Sequence, residues 1–186
     1  MTLVLQRPSI ELVNEYILAL RKGYSPNNLN AAEVAGRELE QLSKDPVAFV
    51  ASIDGSLAGQ QSAKFQRIGS GRLPGFRRWL FRDGEFIGSF GLRWSPGGAD
   101  LPDAVPGHVG YSIVPWQRNK GYAKFGLRAL LVEAREIGLP HLDLSIEKSN
   151  LPSISVARAC GAYLHQTIEL SRFYPNSIEY RYRIMI

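Results

Sequence analysis

Cysteine is almost missing from this chain of 186 residues, where Cys160 stands alone. One thiol makes no internal disulfide, so nothing in the composition points to an oxidising compartment. Long apolar runs are missing too, and none approaches the ~20 residues that a membrane-spanning helix needs. The opening MTLVLQRPSIE lacks the basic head and apolar stretch of a secretory signal, which makes a cytoplasmic location the expectation. Histidines number three and are scattered, so with a lone cysteine they offer no metal-ligand spacing. No repeat, low-complexity tract or linker divides the chain. What remains is ordinary: 45% apolar residues argue for a globular domain. The net charge of +5 fits acidic partners and plain solubility equally well, and so decides nothing.

Periodicity supplies an order of elements. TLVLQRP reads as a strand. Ser9 then reads as an N-cap to a helix whose Val13, Tyr16, Ile17 and Leu20 share a face, ending at Gly23. Asn30 with Glu33 predicts a capping box for AAEVAGRELEQL, which stops before Asp45-Pro46. VAFVAS is expected to begin the sheet. RRWLFRDGEFIGSFGLRW predicts a hairpin turning at Asp83-Gly84, the dipeptide of a type I′ turn. QRIGSGRLPGF reads as a surface loop, because its glycines surround Pro74 and no helix follows. HVGYSIV is a strand, and Ala123, Leu127, Leu130, Leu131, Ala134 and Ile137 then mark a helix closed by Gly138 and Pro140. HLDLSIE, a helix from SNLPSISVARAC to Gly161, and the strands AYLHQTIEL and SIEYRYRIMI complete a mixed α+β order.

The most informative stretch is the basic turn between the strand GYSIV and that helix. A helix starting at a strand end exposes unpaired N–H groups and a positive dipole end, where a phosphate binds readily. Gly121 lets the backbone approach such an anion, small Ala123 keeps the way open, and Arg118, Lys120 and Lys124 add charge. The turn has no nucleoside-triphosphate P-loop pattern.

Arg118-x-x-Gly121-x-Ala123 resembles the (Q/R)-x-x-G-x-(G/A) motif of the GNAT superfamily of N-acetyltransferases, which holds the pyrophosphate of acetyl-CoA. SNLPSISVARACGA resembles the family's second landmark, an Asn leading into a helix that ends in glycine. The likeness is tight over residues 107–163. It implies a single acetyltransferase domain over 1–186, with a mixed sheet splayed at the motif strand, flanking helices and a βαβ crossover. Residues 1–106 would serve the acceptor, 107–163 would bind acetyl-CoA, and 163–186 would form a C-terminal hairpin.

By that resemblance, the backbone at Ile113 and Val114 should bond the pantetheine arm, with the oxyanion donor near Ile113. The N–H groups of Asn119, Lys120, Gly121, Tyr122, Ala123 and Lys124, beside Arg118, should take the pyrophosphate. Asn150 should lie near the pantetheine, although an N-cap role explains it equally well. The reaction implied is acetyl transfer from acetyl-CoA to an amine, without a metal. It needs a base, an oxyanion donor and an acid for the departing thiolate.

The acid is where this chain departs from the family, since Ala157 stands where many members carry a tyrosine. Tyr163, Tyr111 and solvent are the replacements to consider, each tyrosine also readable as a packed aromatic. For the base there are two alternatives: His108, also readable as a half-exposed residue at a strand start, and Glu147. Glu147 shares one polar face of HLDLSIE with His141, Asp143 and Ser145, a face that borders either the cleft or water. Cys160 falls at helical spacing with Ile154 and Ala157 and reads as a structural thiol.

Two readings of other classes stand beside the enzyme. Ala157 would suit a CoA-binding regulatory module without catalysis. Arg67, Arg72, Arg77, Arg78 and Arg82 with Trp79 and Phe81 interleave as a nucleic-acid surface would, unless those arginines are simply solvated. Partners expected are acetyl-CoA and an amine acceptor, with neither membrane nor nucleic acid. Family habit adds a homodimer through the C-terminal strand.

Overall fold

A computed structural model describes residues 2–55, 66–68, 71–169 and 171–186. The elements are β1 (Leu3–Gln6), α1 (Val13–Arg21), α2 (Ala31–Lys44), α3 (Pro46–Asp54), β2 (Gln66–Ile68), β3 (Gly71–Leu73), β4 (Gly75–Arg82) and β5 (Glu85–Arg93). β6 (Val109–Ile113), α4 (Tyr122–Ile137), β7 (His141–Glu147), α5 (Leu151–Ala159), β8 (Tyr163–Ile168) and β9 (Glu179–Met185) follow. They form an antiparallel sheet of order β1-β4-β5-β6, a second of order β7-β9-β8, and a short β2-β3 pair.

The larger sheet is covered on both faces. Trp79, Phe81 and Phe86 pack with Tyr16, Leu20, Leu42 and Phe49 of α1, α2 and α3. Leu80, Ile87, Phe90 and Leu92 pack with Leu127, Leu130 and Ala134 of α4. The helix lies so close that a Cβ on Gly126 would sit 2.1 Å from the Phe90 ring. The β4–β5 hairpin turns at Asp83 and Gly84, with φ of 47° and 86°, as a type I′ turn requires.

The two sheets touch at one place, the entrance to β6. Gly107 bridges Leu144, and the His108 N–H donates to the Asp143 carbonyl at 2.7 Å. Beyond that contact β6 and β7 have no pairing among the described residues, so the sheet is split between them. This is the splayed arrangement expected at the motif strand. The C-terminal strand also behaves as its pattern predicts: Tyr182 and Ile184 are buried in the core, with Tyr180 and Ile186 packed against it.

Three local expectations are corrected. VAFVAS is not a strand but lies within α3. The Asp45 carboxylate accepts the Ala48 N–H at 2.8 Å and Pro46 occupies the first helical turn, so this segment starts as a capped helix. No capping box forms at Asn30; instead Asn27 Oδ1 accepts the N–H groups of Leu29 and Asn30, and Glu33 pairs with Arg37. QRIGSGRLPGF contains the β2–β3 ladder rather than loop alone.

The hairpin arginines are corrected too. Arg77 forms an inward ion pair with Glu38, which also accepts from the Tyr16 hydroxyl. Arg78, on the opposite face, joins Glu133 of α4 to Asp54. Both are therefore structural cations rather than solvated ones or nucleic-acid contacts. Arg82 donates to the Tyr122 hydroxyl, while the side chains of Arg67 and Arg72 lie outside the described residues. No described helix is long and apolar enough to cross a membrane.

Candidate active site

The split between β6 and β7 opens into two cavities that share a wall. One, of about 590 Å³, runs from the edge of β6 past the basic turn to α5. The other, of about 460 Å³, lies between the α1–α2 connection, β4, β5 and β7. Asn28, Tyr111, Asn150 and Ser153 line both.

Ladder alternation decides what β6 offers to the first cavity. The Val114 N–H donates to Ile87 O and the Arg93 N–H to His108 O, both at 2.9 Å. Residues of that parity face β5, so Val109, Tyr111 and Ile113 turn their peptide groups to the open edge. Ile113 is thus placed as expected, with its carbonyl held by Arg118 Nε at 3.1 Å and its N–H unpaired among the described residues. Val114 is not: its N–H goes to β5 and its carbonyl accepts from Gln117 at 3.0 Å. Tyr111 takes its place as a second edge-facing peptide group, its N–H unpaired among the described residues and its carbonyl bonded by Asn28 Nδ2 at 3.3 Å.

At the turn, Asn119 and Gly121 adopt positive φ, 62° and 82°. This curls successive N–H groups toward one side, and those from Asn119 to Ala123 have no acceptor among the described residues. The Lys124 N–H differs, donating to Gly121 O at 3.1 Å. A Cβ on Gly121 would meet no atom within 4 Å, so the space beside it is open. Lys120 does not line the cavity; its ammonium reaches Gln117 Oε1 at 2.7 Å. Arg118, Lys124, Tyr122 and Ala123 do line it.

Asn150 is the N-cap of α5, its Oδ1 accepting the Ser153 N–H at 3.2 Å, and it stands on the shared wall. Ala157 is fully buried in the core. One turn earlier on the same helix face, the Ser153 carbonyl accepts the Tyr111 hydroxyl at 3.5 Å. Tyr111 stacks on Phe90, and burial pushes its hydroxyl up to about 12, so it keeps its proton at neutral pH. Tyr163 is elsewhere: it is exposed on β8, with its hydroxyl 4.0 Å from Met185 Sδ, and lines neither cavity.

His108 is not half-exposed at all; it is 0% exposed. Nδ1 accepts the Asp143 N–H at 3.0 Å and Nε2 lies 3.0 Å from the Ala99 carbonyl, which makes Nε2 the protonated nitrogen. Burial lowers its pKa to about 4 despite the neighbouring Asp143 carboxylate. The imidazole thus ties the entrance of β6 to β7. The polar face of β7 is likewise largely filled: Arg183 binds Asp143 through two bonds of 2.7 and 2.8 Å. Glu147, at its far end, lines the second cavity beside Ser145 and Tyr174. Cys160 is half-buried on the core, its thiol directed at the Lys124 carbonyl at 3.7 Å and its pKa raised by burial. Nothing in the sequence marks Asn28 or Arg93, which reach the second cavity from elements far from the motif.

Residues 41–163, more than half of the chain, match the family model of the acetyltransferase (GNAT) domain. No curated protein matches the chain in sequence. Among solved structures it resembles RimL, a ribosomal L7/L12 alpha-N-protein acetyltransferase in complex with coenzyme A, at 14% identity and TM-score 0.67, covering 100% of this chain and 95% of that one. The microcin C7 self-immunity acetyltransferase MccE, in complex with acetyl-CoA and AMP, shows 14% identity and TM-score 0.60, over 99% and 94% of the two chains. A chimera of spermidine N-acetyltransferase SpeG from Vibrio cholerae and hSSAT shows 13% identity and TM-score 0.64, over 100% and 96%. At such identities the structural likeness speaks for the fold. The matched domain speaks for the chemistry: this chain belongs to the GNAT acetyltransferases, acyltransferases that move an acetyl group from acetyl-CoA to an amine.

Proposed function

We propose that the chain transfers acetyl directly to an amine of a small molecule or protein within a ternary complex. The observation that carries this is the shared wall. A cavity bordered by unpaired main-chain donors meets a second, side-chain-lined cavity at Tyr111 and Asn150. Donor and acceptor brought together there need no covalent enzyme intermediate, and Cys160 is aimed away at a carbonyl.

In this reading the unpaired N–H groups from Asn119 to Ala123 hold the pyrophosphate, with Arg118 and Lys124 beside them. The open edge of β6 at Tyr111 and Ile113 holds the pantetheine arm, and the Ile113 N–H is placed to receive the carbonyl oxygen as charge develops on it. Glu147 takes the proton from the attacking amine. His108 does not, since Nδ1 is occupied by the Asp143 N–H and Nε2 by the Ala99 carbonyl. Tyr111, still protonated at neutral pH, replaces Tyr163 as the hydroxyl that bonds the departing thiolate. The whole chain acts as one acetyltransferase domain in the cytoplasm, and a second copy meeting it along the C-terminal strand is compatible with this site.

The deciding experiment is calorimetric titration with acetyl-CoA, free CoA and ATP, followed by thiol release over a panel of amines. Micromolar binding of both CoA species but not ATP, with turnover of at least one amine, is the expected result. Binding without turnover of any amine would favour a CoA-binding regulatory module, the reading that Ala157 raised. A folded protein that binds neither CoA species would end the proposal.

A further inference from the structure

One cation in the second cavity has no ion-pair partner among the described residues. Arg93, the last residue of β5, lines it and makes no ion pair or side-chain hydrogen bond among the described residues. No acidic residue occurs in 56–65 or at 69–70 either, so those segments hold no carboxylate for it. The other cavity arginines differ. Arg77 is held by Glu38 at 3.0 Å, and Arg37 by Glu33 at 3.4 Å.

The strand pattern makes room for this guanidinium. Ser89, Gly91 and Arg93 alternate onto the cavity face of β5, away from Phe90 and Leu92 in the core. Gly91 pairs with Gly110 of β6, giving a floor without side chains. An Arg93 terminal nitrogen lies over that floor, 3.6 Å from where a Cβ on Gly110 would stand. The cation is therefore set beside the β6 edge, next to Tyr111 on the shared wall. Burial depresses its pKa below the ordinary arginine range, the mark of a charge poorly served by water. A half-buried cation with no carboxylate bonded to it is unfavourable unless something that binds there supplies one.

We infer that the acceptor is an amine that also carries an anionic group, a carboxylate or phosphate, which Arg93 engages while the amine faces Glu147. This rests on the acetyl-transfer reading. It makes Arg93 a specificity residue, selecting acidic amines over neutral or polycationic ones.

Matched acceptors test it: amino acids against their carboxamides, and aminoethyl phosphate against ethanolamine, with kcat/KM from thiol release. Wild type should prefer the anionic member of a pair by about tenfold or more, the scale of a charge-assisted hydrogen bond. The pair showing the larger ratio identifies carboxylate or phosphate. Arg93→Gln should bring that ratio close to one through KM, with acetyl-CoA binding and the unfolding midpoint unchanged, and Arg93→Lys should restore part of it. A wild-type preference for neutral members, or a ratio unchanged in Arg93→Gln, overturns the inference. Calorimetry of the same acceptors with a non-transferable thioether analogue of acetyl-CoA separates the two claims. Anions that bind through Arg93 yet are never acetylated leave this site standing and remove the transfer reading. Absence of any Arg93-dependent anion binding removes the site.

Discussion

The two cavities are built from different material. The first cavity is mostly main chain: the free edge of β6 and five N–H groups from five consecutive residues of the turn. The second cavity is side chains brought from α2, β4, β5 and β7, with Arg37, Glu38, Arg77, Arg93 and Glu147 among them. Recognition by main chain depends on local backbone conformation, so it needs a few residues at short spacing. Recognition by side chains depends on which distant elements the fold makes neighbours. The first suits a donor common to a whole family; the second suits an acceptor particular to one member.

Substitutions can pull this contrast apart. Gly121→Glu should act on the first cavity alone, because it places an anion where we propose the pyrophosphate binds and forces a side chain into φ +82°. Acetyl-CoA affinity should fall by about a thousandfold in calorimetry, as loss of several charge-assisted bonds implies. The unfolding midpoint should drop only slightly, since nothing lies within 4 Å of the new Cβ.

His108 joins the two sheets rather than lining either cavity, and its expected signature is in stability. Its folded pKa of about 4 lies below the ordinary histidine value of 6.5. Between those values the unfolded chain binds more protons, so stability is full above about pH 6.5 and declines as pH falls toward 4. The loss should reach about 3 kcal/mol, and His141, lowered by burial as well, adds in the same direction. Asp143, held low chiefly by Arg183, gives way only below its ordinary 3.8. Denaturant midpoints across pH 4–7 should show a shallower slope in His108→Gln.

Glu147→Gln should leave acetyl-CoA binding intact and lower kcat by about a hundredfold, as removal of a general base does. An unchanged kcat in single-turnover measurements would take the base role from the acceptor side altogether. The smallest effect is expected at the shared wall. Tyr111→Phe keeps the stacking on Phe90 and removes one hydroxyl, and should reduce kcat by about fivefold, near the value of one hydrogen bond.

How much of this was legible follows the same division. Gly121 and its basic neighbours announce an anion site because the φ and the donors belong to consecutive residues. Val114 was misplaced because peptide direction alternates along β6, and only pairing with β5 decides which parity faces out. VAFVAS shows a different failure. Its β-branched apolar run favours a strand, yet Asp45 and Pro46 mark a helix start as clearly as they mark the end of α2. Arg77 and Arg78 look alike as a basic pair, but their opposite directions send one to Glu38 and the other to α4.

By itself, then, the sequence determined the hairpin at Asp83-Gly84, the helix α4, the strand–turn–helix at Gly121 and, through them, the family. Each rests on interactions within a few residues, where propensity, capping and turn chemistry act. The tertiary structure alone decided that His108 is locked between the sheets and that Tyr163 lies outside the cleft while Tyr111 borders it. It also set Arg93 over Gly110 with no ion pair among the described residues. Those outcomes depend on which elements meet and how much water is excluded where they do, and no local spacing carries that information.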